Sequence, residues 1–320
     1  MHRVMIALLA LISLVGIAAA GDSGGPGPYV LVLGTAQDGG IPHLGGQAVP
    51  DVAARNDPRH RRLVASLLVV DPPSGKRWLI DATPDVALQL ERADLLAPPP
   101  HLKPDAGRPA ILDGVFLTHA HVGHYLGLAW FGREIYGADH LSVHGSRRMS
   151  EFLGKNGPWD QLVLLGQIVL ETMAPDRPVV LAPDLAITPF LVPHRDEYTD
   201  TFGFAIRGPR RTLLYIPDID KWERWRESIE ERIGKVDIAL LDGTFFDANE
   251  IPGRSLAEIP HPFVVESIAR FGKLSEGERK KVVFTHLNHS NRAALPGTAE
   301  RAAIETAGMR VAVEGERIDL

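Results

Sequence analysis

The chain has 320 residues, 45% of them apolar, which is enough for one large α/β domain. Its formal net charge of −6 argues against an extended nucleic-acid interface, since such interfaces are usually basic. The chain contains no cysteine. Disulfides and thiolate metal sites are therefore excluded, and His, Asp and Glu remain as the strong metal ligands.

Residues 1–20 have the pattern of a secretory signal peptide. Arg3 precedes an apolar stretch from 4 to 17, and the three alanines that end at Ala20 offer a small-residue cleavage site. The apolar stretch is short for a membrane span, which favours a signal peptide; an uncleaved anchor is the alternative. We expect a periplasmic or secreted protein that meets a membrane only through this segment if it is not cleaved. Residues 21–28, rich in glycine and proline, predict a flexible leader.

From residue 29 onward, short strand-like runs alternate with helical patterns. The predicted strands are 29–33, 65–70, 77–80, 111–117, 141–143, 179–181, 185–192, 202–206, 212–216, 238–241 and 282–284. The predicted helices lie near 125–136, 145–154, 220–233, 262–271 and 298–307. No linker or low-complexity tract divides the chain, so 29–320 is interpreted as a single domain. Strands in series with helices between them favour a sheet-on-sheet core covered by helices.

The most informative segment is the run THAHVGH at 118–124, which follows the strand-like run 111–117. After such a strand, His119 and His121 project to the same side, and His124 returns into range as a helix begins. Three converging imidazoles predict a divalent-metal site, most often for zinc. The alternative is a surface turn that happens to be rich in histidine.

Four further polar residues stand where apolar runs end, and they are His194, Asp218, Asp242 and His286. Strand ends that deliver histidine and aspartate to one edge are a common way for α/β folds to build a site. We therefore expect these four side chains to lie near the three histidines.

These motifs resemble the metallo-β-lactamase superfamily, and within it the branch that contains coenzyme PQQ biosynthesis protein B. The resemblance rests on LGTAQDGGIP at 33–42, LDGTFF at 241–246 and THLNHSN at 285–291, and it extends to a final strand pair within 310–320. It implies a four-layer αββα sandwich with metals at the sheet edge. Periodicity alone indicates only the α/β class.

The resemblance also implies two sets of metal ligands. The first set is His119, His121 and His194, with a position left for water. The second set is His124, Asp218 and His286, with Asp218 bridging the two ions. The family usually has an aspartate directly before the last histidine of the motif, and this chain has Gly123 there. We therefore expect a weakened second site and one or two zinc ions, with iron or manganese as alternatives.

The chain departs from coenzyme PQQ biosynthesis protein B in the opposite direction as well. That protein's version of the motif lacks the first two histidines, and its relatives often carry cysteines near the first loop. Here both histidines are present and the cysteines are absent. We expect a metal-competent relative outside PQQ biosynthesis itself.

A more distant resemblance, to ribonuclease Z, implies a catalytic pair. In that enzyme an acidic residue after a late strand orients a histidine that protonates the leaving group, and Asp242 and His261 stand in comparable places. The alternatives are that Asp242 caps a turn and that His261 is a solvated residue before a helix. Asp38, His43 and His289 are weaker candidates for contacts to ligands or substrate.

Together these features predict an exported metal-dependent hydrolase in which a metal-bound hydroxide attacks a small-molecule substrate. An ester, a lactone or a phosphodiester of low mass fits an acidic chain without a basic stripe better than a long nucleic acid does. One alternative is an iron-dependent oxidative enzyme related to coenzyme PQQ biosynthesis protein B. Another is a non-catalytic, metal-stabilised binding protein.

Overall fold

The computed structural model describes residues 26–99, 110–253 and 259–320. The predicted signal peptide and most of the leader lie outside these residues. In chain order the strands are β1 (Tyr29–Gly34), β2 (Ser66–Asp71), β3 (Lys76–Ile80), β4 (Gly114–Phe116), β5 (Leu141–Gly145), β6 (Ile168–Thr172), β7 (Val179–Ala182), β8 (Leu185–Val192), β9 (Thr201–Arg207), β10 (Thr212–Ile216), β11 (Ile238–Asp242), β12 (Val282–Thr285), β13 (Arg310–Val311) and β14 (Arg317–Asp319).

The α-helices of the described part are mostly short and lie between the strands. They are α1 (Val49–Asn56), α2 (Val86–Leu96), α3 (Val122–Tyr125), α4 (Arg147–Leu153), α5 (Trp159–Leu164), α6 (Ile229–Gly234), α7 (Val264–Phe271), α8 (Glu276–Arg279) and α9 (Ala299–Thr306). Among the residues described, none of these helices has the length and apolar character needed to cross a bilayer.

The strands form two seven-stranded sheets with matching connectivity. The first sheet has the order β14-β1-β2-β3-β4-β5-β6, antiparallel as far as β3 and parallel beyond it. The second has the order β7-β8-β9-β10-β11-β12-β13, antiparallel as far as β10 and parallel beyond it. Strands β1, β3 and β4 therefore point the same way in the first sheet, as do β8, β10, β11 and β12 in the second. Residues that follow these strands are delivered to one edge of each sheet.

The sheets are buried on both faces, and this explains why their strands are continuous apolar runs. In β10, Leu213 and Tyr215 face the space between the sheets, whereas Leu214 and Ile216 face the helices outside. Helices α2 to α5 cover the outer face of the first sheet, and α6, α7 and α9 cover the second. The predicted four-layer αββα sandwich is confirmed.

The predicted helix at 125–136 is wrong in extent. One turn, α3, is followed by a 3-10 helix at Leu126–Phe131. The Gly127 amide donates a 2.9 Å hydrogen bond to the Ala82 carbonyl of a neighbouring segment instead of to the preceding turn. This contact leaves no room for a side chain, because a Cβ at Gly127 would meet the Ala82 oxygen at 2.9 Å.

The predicted helix at 220–233 is also wrong in extent, because two separate elements occupy this region. A 3-10 turn at Trp222–Arg224 is followed by extended chain, and α6 starts only after Ser228, whose side chain caps it. The two tryptophans of this region form hydrogen bonds with different elements, so they do not lie on one face of a continuous helix. Trp222 donates to the Ser267 hydroxyl, and Trp225 donates to the Leu191 carbonyl.

Candidate metal centre

The structure brings all eight predicted site residues together at the sheet edge where β4, β8, β10, β11 and β12 end. They fall into three groups, each with its potential ligand atoms within 4.8 Å of one another. The groups are His119, His121, His194 and Asp218; Asp38, His124 and His286; and Asp218, Asp242 and His261. Asp38, a weak candidate from the sequence, therefore takes part in the second group.

In the first group three imidazole nitrogens face one point. His119 Nε2 lies 2.8 Å from His121 Nδ1, and His194 Nε2 lies 3.3 Å from the same atom. Nitrogens around a tetrahedral zinc ion, each bonded at about 2.0–2.1 Å, are roughly 3.3 Å apart. The donor set and its spacing therefore fit a divalent ion.

Asp218 lies between the first two groups. Its Oδ2 is 3.4 Å from His119 Nε2, 3.4 Å from His124 Nε2 and 3.6 Å from His286 Nε2. Burial alone would raise the pKa of this carboxyl, but the surrounding imidazoles, led by His194, hold it well below its usual range. Asp218 is thus placed as an ionised carboxylate that can bridge two cations.

The second group contains buried polar atoms without partners. Asp38 Oδ1, His124 Nε2 and His286 Nε2 are buried and have no hydrogen-bond partner among the described residues. Leaving such atoms unpaired away from water is costly. A cation that accepts their lone pairs offsets this cost, so these residues also fit a metal ion.

Contacts on the far side of three rings orient their other nitrogens toward the centre. His124 Nδ1 donates to Asp81 Oδ2 at 2.7 Å, which leaves the lone pair on Nε2. The Nδ1 atoms of His119 and His286 contact the Thr118 and Thr244 hydroxyls, each at 3.0 Å. The backbone is also held in an unusual conformation here, since φ is positive at Asp38 (27°), Asp81 (62°) and His286 (59°).

Burial favours the neutral form of three histidines of the centre. Burial lowers the pKa of His119 well below its usual value, lowers that of His194 to about 4, and lowers that of His286. His124 is the exception, because Asp81 and Asp218 outweigh its burial and raise its pKa well above the usual value.

The third group is the predicted acid–base pair. His261 Nδ1 is 2.8 Å from Asp242 Oδ2, and both residues are buried. Asp242 also accepts hydrogen bonds from the Thr244 amide at 2.9 Å and the Thr244 hydroxyl at 2.7 Å, so it caps the turn as well as orienting the histidine. Burial would lower the pKa of His261, but Asp242 and Asp218 raise it. A solvated His261 is therefore ruled out.

Three residues of the region were not identified from the sequence. Asp81 directly follows β3, which is the same placement that marked the other ligands, but no motif surrounds it. Glu197 contacts His121 Nε2 at 3.0 Å from the opposite sheet. Asp51 accepts from the His43 amide and from His289 Nδ1, each at 2.7 Å, and the two imidazoles stack at 4.6 Å. These three contacts join distant segments, which spacing along the chain does not reveal.

A paired-sheet sandwich with a His/Asp centre at its edge defines a metallo-β-lactamase-type protein. The family model described as the beta-lactamase superfamily domain matches residues 76–287, and the chain belongs to this superfamily. It resembles the coenzyme PQQ synthesis protein B of Methylorubrum populi, at 27% identity over 91% of this chain and 100% of that protein. The corresponding protein of Methylobacterium nodulans is 28% identical, over 91% and 99%. The predicted family and its branch are confirmed.

Solved structures show the same fold. Zn(2+)-bound PqqB from Methylobacterium extorquens matches with a TM-score of 0.75 and 24% identity, over 91% of this chain and 100% of that one. A diphosphatase from the PhnP family matches with a TM-score of 0.63 and 21% identity, over 91% and 96%. The short form of human tRNase Z matches at 0.55 and 18%, over 91% and 98%. At these identities the likeness establishes the architecture only.

Proposed function

We propose that the protein is a metal-dependent hydrolase that acts on a small phosphodiester, ester or lactone. The observation that carries this proposal is the juxtaposition of the His/Asp centre with a buried His261 of raised pKa, 3.2 Å from the Asp218 carboxylate. A divalent ion held by His119, His121, His194 and Asp218 would supply Lewis acidity and activate water. The N and O donor set suits zinc, with iron and manganese as the other candidates.

His261 is proposed to act as the general acid. Asp242 accepts the Nδ1 proton at 2.8 Å, so Nε2 of the imidazolium is the position from which a proton leaves. Although burial lowers the pKa of His261, Asp242 and Asp218 raise it overall, which favours the protonated ring. An alkoxide leaving group needs such a proton, which favours ester bonds of carbon or phosphorus.

Two opposite charges lie beside His121, since Glu197 contacts its Nε2 at 3.0 Å and pairs with Arg195 at 3.6 Å. Of the two, the Arg195 guanidinium is the group that would bind an anionic substrate. The Arg195 guanidinium lies 3.4 Å from both ring nitrogens of His121, and its side chain is half exposed. A guanidinium at the edge of a metal centre suits a phosphate oxygen. A phosphodiester is therefore the first substrate to test.

The proposal is tested by metal analysis and turnover on the same preparations. Protein loaded with zinc, manganese or iron is assayed with bis(p-nitrophenyl) phosphate, p-nitrophenyl esters and lactones. His121→Ala should lose bound metal and hydrolysis, whereas the matched control His140→Ala, on an exposed side chain, should lose neither. Unchanged metal content in His121→Ala would refute the proposed centre. Absence of turnover with every substrate, together with a tightly bound small molecule, would point to a binding protein.

A second candidate function is an iron-dependent oxidative reaction. It is favoured by the similarity to coenzyme PQQ synthesis protein B, which spans the whole length of that protein. Iron in the protein as isolated and consumption of oxygen with an added substrate would support it. Hydrolysis supported by redox-inert zinc would contradict it.

We also propose that the protein is exported, which rests on the sequence of residues 1–20. A protein recovered from outside the cytoplasm should begin at Gly21. A cytoplasmic protein that retains Met1 would contradict export.

A further inference from the structure

The space beside Gly123, where the family motif has its aspartate, is filled in this protein by another residue. Gly123 lies in α3 directly before His124. A Cβ added there would come within 2.7 Å of the Asp38 Cα and 3.1 Å of its carboxyl carbon, and nearer still to Oδ1. Side chains at 38 and 123 therefore exclude each other. The Asp38 carboxylate therefore occupies the space that the family's aspartate at position 123 would fill.

The Asp38 carboxylate is directed into the centre. Its Oδ1 is buried, has no hydrogen-bond partner among the described residues, and lies 3.9 Å from His124 Nε2. His124 and His286, both fully buried, present equally unpartnered Nε2 atoms to the same space. These three unpartnered atoms converge on one space, and a cation placed there would contact all of them.

The loop that carries Asp38 is fixed to the strand end that carries His286. The Gln37 amide donates to the Leu287 carbonyl at 2.9 Å, and the Leu287 amide donates to the Thr35 carbonyl at 2.8 Å. The Asn288 side chain also contacts Gln37. With a φ of 27° at Asp38 itself, this network holds the carboxylate in one place. Such preorganisation is expected of a ligand and not of a loop side chain in solvent.

We infer that Asp38 is a ligand of a second divalent metal ion, together with His124, His286 and the bridging Asp218. The inference rests on the proposed metal-dependent function and completes its second site, which the sequence indicated to be weakened by Gly123. The ligand atoms are two imidazole nitrogens and two carboxylate oxygens, against three nitrogens and one oxygen in the first site. The second site is therefore the more oxygen-rich of the two, and it suits zinc, manganese or iron(II).

The first experiment measures metal stoichiometry and affinity without any assay of activity. Protein saturated with zinc and passed through a desalting column is analysed by elemental mass spectrometry, and zinc is titrated by calorimetry. Wild type should bind two zinc ions. Asp38→Asn, which keeps the shape but removes the charge, should retain one ion and weaken the other by more than about 100-fold, beyond the 10–100-fold typical of outer-shell substitutions. The control Asp139→Asn, on a highly exposed side chain, should bind two.

The second experiment displaces Asp38 without changing any charge. In Gly123→Ala the new Cβ would meet the Asp38 Cα at 2.7 Å as well as its carboxylate, so the loop that carries Asp38 must shift. This variant should keep the first zinc ion and bind the second more weakly. The control Gly277→Ala, where a new Cβ meets nothing within 4 Å, should bind two zinc ions as wild type does.

The outcomes separate this inference from the proposed function. Two zinc ions with unchanged affinities in Asp38→Asn, or an unchanged affinity for the second ion in Gly123→Ala, would overturn the role of Asp38. If wild type binds one ion with the same affinity as Asp38→Asn, the second site is absent while the hydrolase proposal stands. If wild type binds none, the proposed function fails first.

Discussion

The substitution Asp81→Asn tests how the centre controls its histidines. Asp81 is fully buried and accepts from the Thr118 amide at 2.8 Å, from the Thr118 hydroxyl at 3.0 Å and from His124 Nδ1 at 2.7 Å. Asparagine keeps an oxygen for Thr118 but presents an N–H₂ donor to His124. Nδ1 of His124 must then accept, and the ring proton moves to Nε2, the atom that faces the centre.

This change of tautomer should weaken metal binding, because Nε2 of His124 no longer offers a lone pair to the ion. Loss of an outer-shell partner of a metal-binding histidine typically weakens metal affinity by about 10–100-fold. This corresponds to about 1.4–2.7 kcal/mol of binding free energy. The pKa of His124 should also fall toward or below the ordinary value, because the carboxylate that raises it against burial is gone.

The assay is a competitive zinc titration, combined with imidazole ¹⁵N NMR to read the tautomer of His124. The matched control is Asp71→Asn, a buried aspartate in the β2–β3 turn that accepts from the Ser74 hydroxyl. It should lower stability without changing zinc affinity. The reasoning is refuted if Asp81→Asn binds zinc as tightly as wild type with His124 protonated on Nδ1.

Three further predictions concern catalysis, ligand linkage and the core. The pKa of His261 is raised, so the protonated acid is present at lower pH and is lost as pH rises through that pKa; kcat for a phosphodiester should fall on the alkaline side, and His261→Gln should abolish that limb. If kcat of His261→Gln still falls at alkaline pH, the titrating group is a residue other than His261. Zinc at a free concentration 100 times its Kd should stabilise the fold by about 2.7 kcal/mol, a rise of roughly 4 °C in Tm for a domain of this size, and EDTA should reverse it. No shift would mean that zinc does not bind the folded state preferentially. Phe116, fully buried between the sheets with its ring 6.2 Å from that of Phe204, should cost about 3–5 kcal/mol when changed to alanine, measured by urea unfolding. A cost below 1 kcal/mol would show that the space between the sheets is loosely packed.

Most site residues could be predicted because each stands directly after an apolar run that the sequence indicates to be a strand. His119, His194, Asp218 and His286 each follow an apolar strand, and parallel strands bring such positions to one edge. Asp81 obeys the same rule and could have been found by applying it to β3. What singled out the others was a histidine cluster or a family motif, and Asp81 has neither.

The relation of Asp38 to Gly123 was beyond sequence reasoning for a physical reason. A motif is a pattern of spacing, so a glycine in it indicates a missing carboxylate. The compensation comes from a residue 85 positions away, brought in by a loop that is tied to the end of β12. Such closeness has no periodic signature in a single chain.

Helix boundaries failed where tertiary contacts compete with local hydrogen bonds, as at Gly127. Helix α2 was missed for a different reason. Its buried residues include Val86, Leu90 and Ala93, but Leu88 and Leu95 are exposed, so the apolar residues do not form one face. Helices α1, α5 and α8 and strand β6 were missed as well, and these three helices are only eight, six and four residues long.

The metal ligands that come from the first sheet all precede the β6–β7 connection, and those from the second sheet all follow it. Asp38 and the histidines of the 118–124 motif precede the β6–β7 connection, whereas His194, Asp218 and His286 follow it. A chain severed between 173 and 178 would give two fragments, each with an incomplete ligand set. A bound ion would then hold the two fragments together, so the extent of their reassembly would depend on the concentration of free metal.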